Sequence, residues 1–334
     1  MIILQDIMAQ NKLNVFHWHI VDSESFPYTS AMFPNMSILC HHCNHLQGAY
    51  TTAHIYSIAD IKKVLDYARL RGIRVVPEFD TPGIKLLRFP TFLSITGIST
   101  PGHSGSWGQS IPNLLSNCYN TLGKIDQLPD IIDPTMPSNF EFLSNFFTEA
   151  LDLFGDNYMH FGGDEVESDM QKCWENNPEV KKRMKGMGYA NAHELLNYYW
   201  QTLFGLIDHH REGVKKIVWQ EVLDMDVNVT NAIAHVWRGN SMDAVKKEMA
   251  AVTAAGHPTI LSSCWYLDLI NYGPVWGYVD GNPAEGLRGR GKYYECDPTD
   301  FEGTEQQKVR PPTRTKRFQI HIRCKQKKER KGNK

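Results

Sequence analysis

The chain contains no run of about eighteen apolar residues, so no helix is expected to span a bilayer. Its first β-rich run is not followed by Gly-x-Gly-x-x-Gly, which argues against an open doubly wound sheet holding a dinucleotide. The seven cysteines show no close metal-ligand spacing. Cys40-His41-His42-Cys43 comes nearest, but no second Cys/His pair follows at finger spacing, so neither a metal nor a cofactor is expected. Strong net charge is also missing, the formal value being −2. That near-balance hides an asymmetry: residues 309–334 hold eleven Lys and Arg against Glu329 alone, leaving the other 308 residues at −12. An acidic body excludes nucleic acid as the expected partner, and the basic stretch reads as a solvated, disordered tail. Met1-Ile2-Ile3-Leu4-Gln5-Asp6 turns polar too soon for a signal peptide, and none is expected.

What is present is alternation. Leu13–Ile20 reads as a strand. Ser57 then caps a helix, with Asp60 in the capping-box position and Ile58, Ile61, Val64, Leu65 and Ala68 at helical spacing. Gly72 ends that helix, and Ile73–Phe79 is the next strand. The pattern repeats with a helix over Asn139–Phe154, a strand over Tyr158–Phe161, a helix over Asn191–His210, and strands over Lys216–Trp219, Ala232–Trp237 and Thr259–Ser262. A helix over Ser241–Ala255 separates the last two. Six strands alternating with helices predict an α/β protein, a (β/α)8 barrel with two strands missing.

Chemistry-bearing side chains gather where these strands end: His17, His19 and Asp22; Glu78 and Asp80; His160, Asp164 and Glu165; Trp219 and Glu221; Trp237 and Arg238; Trp265, Tyr266 and Asp268. In a (β/α)8 barrel that end of every strand faces the active site. The sharpest element is His160-Phe161-Gly162-Gly163-Asp164-Glu165. Two glycines permit a tight turn and close approach of a substrate. Adjacent acids repel, and burial raises the pKa of at least one, which suits a general acid. An exposed acidic turn capping the next helix is the plainer reading of the same spacing. Trp18 and Trp107 read as core and His17 as a satisfied strand histidine. Glu221 reads either as a support for a neighbouring side chain or as a helix cap.

Taken together, these segments resemble glycoside hydrolase family 20, the β-N-acetylhexosaminidases, and within it the animal lysosomal subunits. The resemblance runs from about Leu4 to Lys308. It is carried by Asn11-Lys12-Leu13-Asn14 leading into His17-Trp18-His19 and Asp22; Phe79-Asp80-Thr81-Pro82-Gly83; Pro101-Gly102-His103 with Ser106-Trp107-Gly108; Gly162-Gly163-Asp164-Glu165; Val218-Trp219-Gln220-Glu221; and Trp265-Tyr266-Leu267-Asp268. It implies catalysis in which the substrate's own 2-acetamido carbonyl attacks the anomeric carbon. Glu165 would be the general acid and base, and Asp164 would accept the acetamido N–H. Asp22 would bond sugar hydroxyls, and His103 would support the acid. Trp219, Trp237 and Trp265 would wall the sugar, Tyr266 would donate to the acetamide carbonyl, and Asp268 would touch an outer hydroxyl. The run Tyr266-Leu267-Asp268-Leu269 is more similar to the β-type than the α-type subunit, which implies neutral N-acetylglucosamine and N-acetylgalactosamine ends of glycoconjugates as substrates. The resemblance also implies a Cys118–Cys173 disulfide, hence an oxidising compartment, lysosomal or secreted, and a homo- or heterodimer for the intact family member.

The chain also departs from the family pattern. The first barrel strand with its sugar-gripping Arg, and the last with its Trp and Glu, are expected to be absent. Residues 1–308 are therefore expected to form a partial catalytic barrel, with 84–99 an aberrant insertion between two Thr-Pro-Gly copies and 309–334 the tail. The expected activity is exo-hydrolysis of terminal β-linked N-acetylhexosamines. An inactive barrel or sugar-binding module and a conventional two-carboxylate glycosidase are the competing expectations.

Overall fold

The computed structural model describes residues 1–22, 25–38, 48–49, 51–83, 105–108, 110–120, 122–166, 168–239, 241–265, 296–308 and 319–323. Cys40–Cys43, the 84–99 stretch, His103, Tyr266 and Asp268 lie outside them. The described strands are β1 (Val15–His19), β2 (Arg74–Glu78), β3 (Leu115–Tyr119), β4 (Ile125–Ile132), β5 (Tyr158–His160), β6 (Lys215–Trp219), β7 (Ala232–Val236), β8 (Thr259–Leu261) and β9 (Gln319–Arg323). All except the antiparallel hairpin β3–β4 belong to parallel sheet, and helices lie between successive parallel strands from β1 to β8. Seven parallel strands among the described residues, joined through helices, give the α/β class and an incomplete (β/α)8 barrel. The chain divides into two compact units, Met1–Val214 with Arg317–Lys334, and Lys215–Lys316.

In the first unit the strand order is β5-β2-β1-β9. Helices α1 (Ile2–Gln10), α2 (Ile58–Arg69), α3 (Pro137–Phe154), α4 (Ser168–Asn176), α5 (Pro178–Gly186) and α6 (Ala192–His210) accompany it. The expected capping box is present: Ser57 Oγ accepts from the Asp60 N–H, and Asp60 accepts from the Ser57 N–H. Helix α1, absent from the sequence reading, has no capping side chain and is held by tertiary bonds. Gln5 donates to the Val64 carbonyl at 3.2 Å, and Asp6 accepts from Tyr67 and Arg71. An aromatic cluster fills the core: Trp107 meets Phe26 and Phe146 edge-on at 5.2 and 5.0 Å, and Phe79 meets Tyr28 and Phe146 at 5.0 and 4.9 Å. Trp18 and Trp107 are buried there, as expected for core residues.

One expectation is corrected. The basic stretch 309–334 is expected to be a disordered tail, but within it Gln319–Arg323 pairs in parallel with Val15–His19. Gln-Ile-His-Ile-Arg alternates with period two, and β1 on its own would leave a row of backbone donors and acceptors unpaired.

The second unit has the strand order β6-β7-β8, with the short helix α7 (Glu221–Asp224) after β6 and α8 (Met242–Ala254) after β7. Its core joins Ala234 and Val236 to Val245, Met249, Val252 and Phe301. Ser241 caps α8 through the Ala244 N–H.

Candidate active site

The ends of β1, β2 and β5 bring six ionisable side chains into one buried group: His17, His19, Glu78, Asp80, His160 and Asp164. Alternation along β1 and β2 puts residues two apart on the same face. His17 Nε2 lies 2.7 Å from Glu78 Oε2, His160 Nδ1 lies 3.6 Å from Glu78 Oε1, and the His17 and His160 rings stack at 4.7 Å. Burial drives the His17 pKa down to about 3, although the charge of Asp164 pulls the other way, so the ring is neutral at working pH.

Asp80 ties β2 to the acidic turn. Its Oδ1 accepts the Gly163 N–H at 2.8 Å, and its carboxyl is hydrogen-bonded to that of Asp164. Two carboxylates cannot bond each other without a proton. Burial, then the charges of Asp164 and Glu78, hold the Asp80 pKa well above the usual carboxylate value.

The turn is shaped by left-handed backbone at Gly162 (φ 76°), Gly163 (φ 96°) and Glu165 (φ 58°). At Gly162 there is no room for a side chain: an added Cβ would strike Asp80 Oδ1 and lie 2.5 Å from Asp80 Cα. The Gly162 N–H donates to His160 Nδ1 at 3.0 Å. Glu165, a non-glycine residue, holds the left-handed region at a cost of roughly 1–2 kcal/mol. Asp164 is buried and Glu165 half-buried, so the two neighbouring carboxyls sit in different surroundings. Asp22 lies in a turn closed by its own backbone bonds to Ser25, and its carbonyl accepts from Ser106 Oγ at 2.7 Å.

Two sets of described residues bring possible metal-ligating atoms within 4.8 Å of one another: His17, Glu78 and His160; and His19, Glu78 and Asp80. Within these sets Glu78 is the shared carboxylate, 2.7 Å from His17, 3.6 Å from His160 and 3.9 Å from His19.

In the second unit, Trp219 is buried and stacks on His235 at 4.2 Å, with Trp237 edge-on at 6.0 Å. The Trp237 indole N–H is shared between Glu221 Oε1 and Oε2 at 2.9 and 3.0 Å, and Arg238 Nε lies 3.1 Å from Glu221 Oε1. Glu221 is thus a support for neighbouring side chains. Trp265 ends a 3-10 turn, Ser263–Trp265. Cys118 and Cys173 are disulfide-bonded as the resemblance implies, and so are Cys264 and Cys296. The sequence reading placed Glu78 and Asp80 at a strand end without giving them roles. Their position in Pro77-Glu78-Phe79-Asp80-Thr81 was the available signal.

Parallel strands ending in buried acids, with paired carboxyls on a double-glycine turn, define the class of (β/α)8 glycosidases. Comparison makes this specific. The model of the glycosyl hydrolase family 20 catalytic domain matches residues 2–86 and 94–315. The match breaks off inside the expected insertion and continues past the expected boundary at 308. Beta-hexosaminidase A of Caenorhabditis elegans and human beta-hexosaminidase subunit beta are each 40% identical over 305 residues, 91% of this chain and 49% and 46% of theirs. Rat beta-hexosaminidase subunit alpha is 37% identical over 306 residues, 91% of this chain and 49% of its own. The Flavobacterium johnsoniae chitobiase structure superposes with a TM-score of 0.60 at 27% identity, over 80% of this chain and 36% of that one. The Vibrio harveyi exo-β-N-acetylglucosaminidase, at 21% identity and a TM-score of 0.58 over 78% of this chain and 38% of that one, shares the fold. The chain belongs to glycosyl hydrolase family 20. It spans about half the length of the curated relatives it matches.

Proposed function

We propose that this chain carries the catalytic machinery of a β-N-acetylhexosaminidase, releasing terminal N-acetylglucosamine or N-acetylgalactosamine from glycoconjugates with retention and substrate assistance. One observation carries the reading: Asp164 and Glu165 are adjacent carboxyls on the turn that Asp80 ties to β2 through the Gly163 N–H. In this reading the Asp164 carboxylate accepts the acetamido N–H. Orienting the amide this way aims its carbonyl oxygen at the anomeric carbon. As the C1–O bond breaks, Glu165 protonates the departing oxygen and an oxazolinium ion forms. Glu165 then takes a proton from water as that water adds to C1, restoring the amide and retaining configuration. By the family match, Asp22, Trp219, Trp237, Trp265, Tyr266 and Asp268 are the sugar contacts in this proposal, and His103 supports the acid within the substrate-binding site.

A lysosomal or secreted setting fits the two disulfides, which persist in oxidising compartments. Names of relatives as subunits alpha and beta support a dimer in the intact protein. Among the described residues no helix is long and apolar enough to cross a membrane.

The test is turnover of a chromogenic N-acetyl-β-glucosaminide by the purified chain. Glu165→Gln is expected to lower kcat by about 10²–10⁴-fold, and a thiazoline mimic of the oxazolinium ion to inhibit the parent chain. Binding without turnover would make the chain a sugar-binding module. A trapped sugar–enzyme ester with no thiazoline inhibition would make it a two-carboxylate glycosidase.

A further inference from the structure

Four N–H groups at the end of β7 converge on two side chains that no catalytic role above uses. Gln220 Oε1 accepts the backbone N–H of Trp237 at 3.0 Å and of Arg238 at 3.1 Å. Glu221 takes the Trp237 indole N–H on both carboxylate oxygens, and Arg238 Nε pairs with the same group. Glu221 is buried while Arg238 is partly exposed, so the carboxylate acts from inside the fold. The Gln220 backbone N–H donates to the His235 carbonyl at 3.1 Å, fastening the dipeptide to the strand it grips. An indole has one donor, and a carboxylate holding it with both oxygens fixes the ring in its plane as well as in position. The Arg238 guanidinium stands 5.9 Å from the Trp237 ring centre and adds a cation–π contact on the same residue.

We infer that Gln220 and Glu221 are positioning residues that clamp the Trp237 indole in the orientation it presents to the sugar. The sugar-facing role of Trp237 rests on the function proposed above. The clamp itself rests on the bonds just described. It explains why a buried carboxylate stands beside a tryptophan wall: its ligand is the wall and not the substrate.

The experiment uses the whole chain, ¹⁵N-labelled on tryptophan, with Glu221→Ala, Glu221→Gln, Trp237→Phe and the Ala/Phe double variant. Trp237→Phe assigns the indole resonance by removing it. Glu221→Ala is expected to shift that resonance and speed its hydrogen exchange, leaving the other seven indoles in place. Glu221→Gln, which keeps an acceptor, should restore most of the protection. In parallel, thiazoline affinity and KM should weaken roughly tenfold in Glu221→Ala, with kcat changed less. In the Trp237→Phe background, which keeps a ring but has no N–H to hold, Glu221→Ala should add little. An indole resonance unmoved by Glu221→Ala overturns the clamp, as does a full loss of affinity persisting in the Trp237→Phe background. A parent chain that neither binds the thiazoline nor turns over substrate sinks the hydrolase reading instead, and the indole resonance still decides the clamp.

Discussion

Residue 162 has room for a hydrogen and nothing larger. Its left-handed backbone disfavours any side chain by roughly 1–2 kcal/mol, and the space beside it is filled by Asp80. Gly162→Ala is therefore expected to push Asp80 off the Gly163 N–H and abolish activity; wild-type turnover in that variant would show that the turn can relax. Asp80 makes a finer test, because an asparagine imitates a protonated aspartic acid. In Asp80→Asn the side-chain carbonyl can accept from Gly163 and the amide can donate to Asp164, so activity should stay within about tenfold of the parent, whereas Asp80→Ala leaves a buried donor unpaired and should lose far more. The raised pKa also fixes a pH dependence. Above the ordinary carboxyl pKa of 3.8 the folded chain holds the Asp80 proton more tightly than the unfolded chain does. Its contribution is fully present below 3.8 and is lost as pH rises through the elevated folded value. Thermal melts of parent minus Asp80→Asn should show that decline with rising pH; a flat difference would mean that Asp80 is ionised.

Between elements, one carboxylate does for the first unit what Asp80 does for the turn. Glu149 on α3 accepts from Tyr28 Oη, Ser30 Oγ and the N–H groups of Ala31 and Met32, holding the loop after β1 against the helix. Burial, then the Glu149 charge, push the Tyr28 ionisation up, so Tyr28 remains a donor. Glu149→Ala strips one acceptor from four donors and should lower stability by about 2–3 kcal/mol in denaturant titrations; an unchanged midpoint would mean that water replaces it. None of this long-range bonding was legible in the sequence. The parts that were legible are local: the Ser57–Asp60 box, the helical spacing of Ile61, Val64 and Ala68, and the strands whose ends carry His17, Asp80 and Asp164. Helix α1 was missed because its hold is tertiary. Hairpin β3–β4 was missed because its register shifts around Cys118 and Pro129 lies within β4, both of which blur alternation. For the same reason the paired acids were found from their motif, whereas the interaction between Asp80 and Asp164 needed two strands brought side by side.

At the scale of the whole chain, the charge imbalance and the sheet make opposite claims on residues 309–334. As a charged tail the stretch would be dispensable; as the carrier of β9 it completes the edge of β1, the strand that holds His17 and His19 beside Glu78. Two truncations separate these claims. Removing 325–334 deletes six basic residues and one acid but leaves β9, and the melting temperature should not move. Removing 309–334 deletes β9 as well. The exposed β1 edge should then lower the melting temperature, by roughly 2–4 °C for each kcal/mol lost at a size of a few hundred residues, and promote aggregation through edge pairing. Because β1 anchors the histidines around Glu78, the longer truncation should also weaken thiazoline binding. Equal melting temperatures for the two truncations would show that β9 contributes no stability, and the histidine–carboxylate network would then have to be held by β2 and β5 alone.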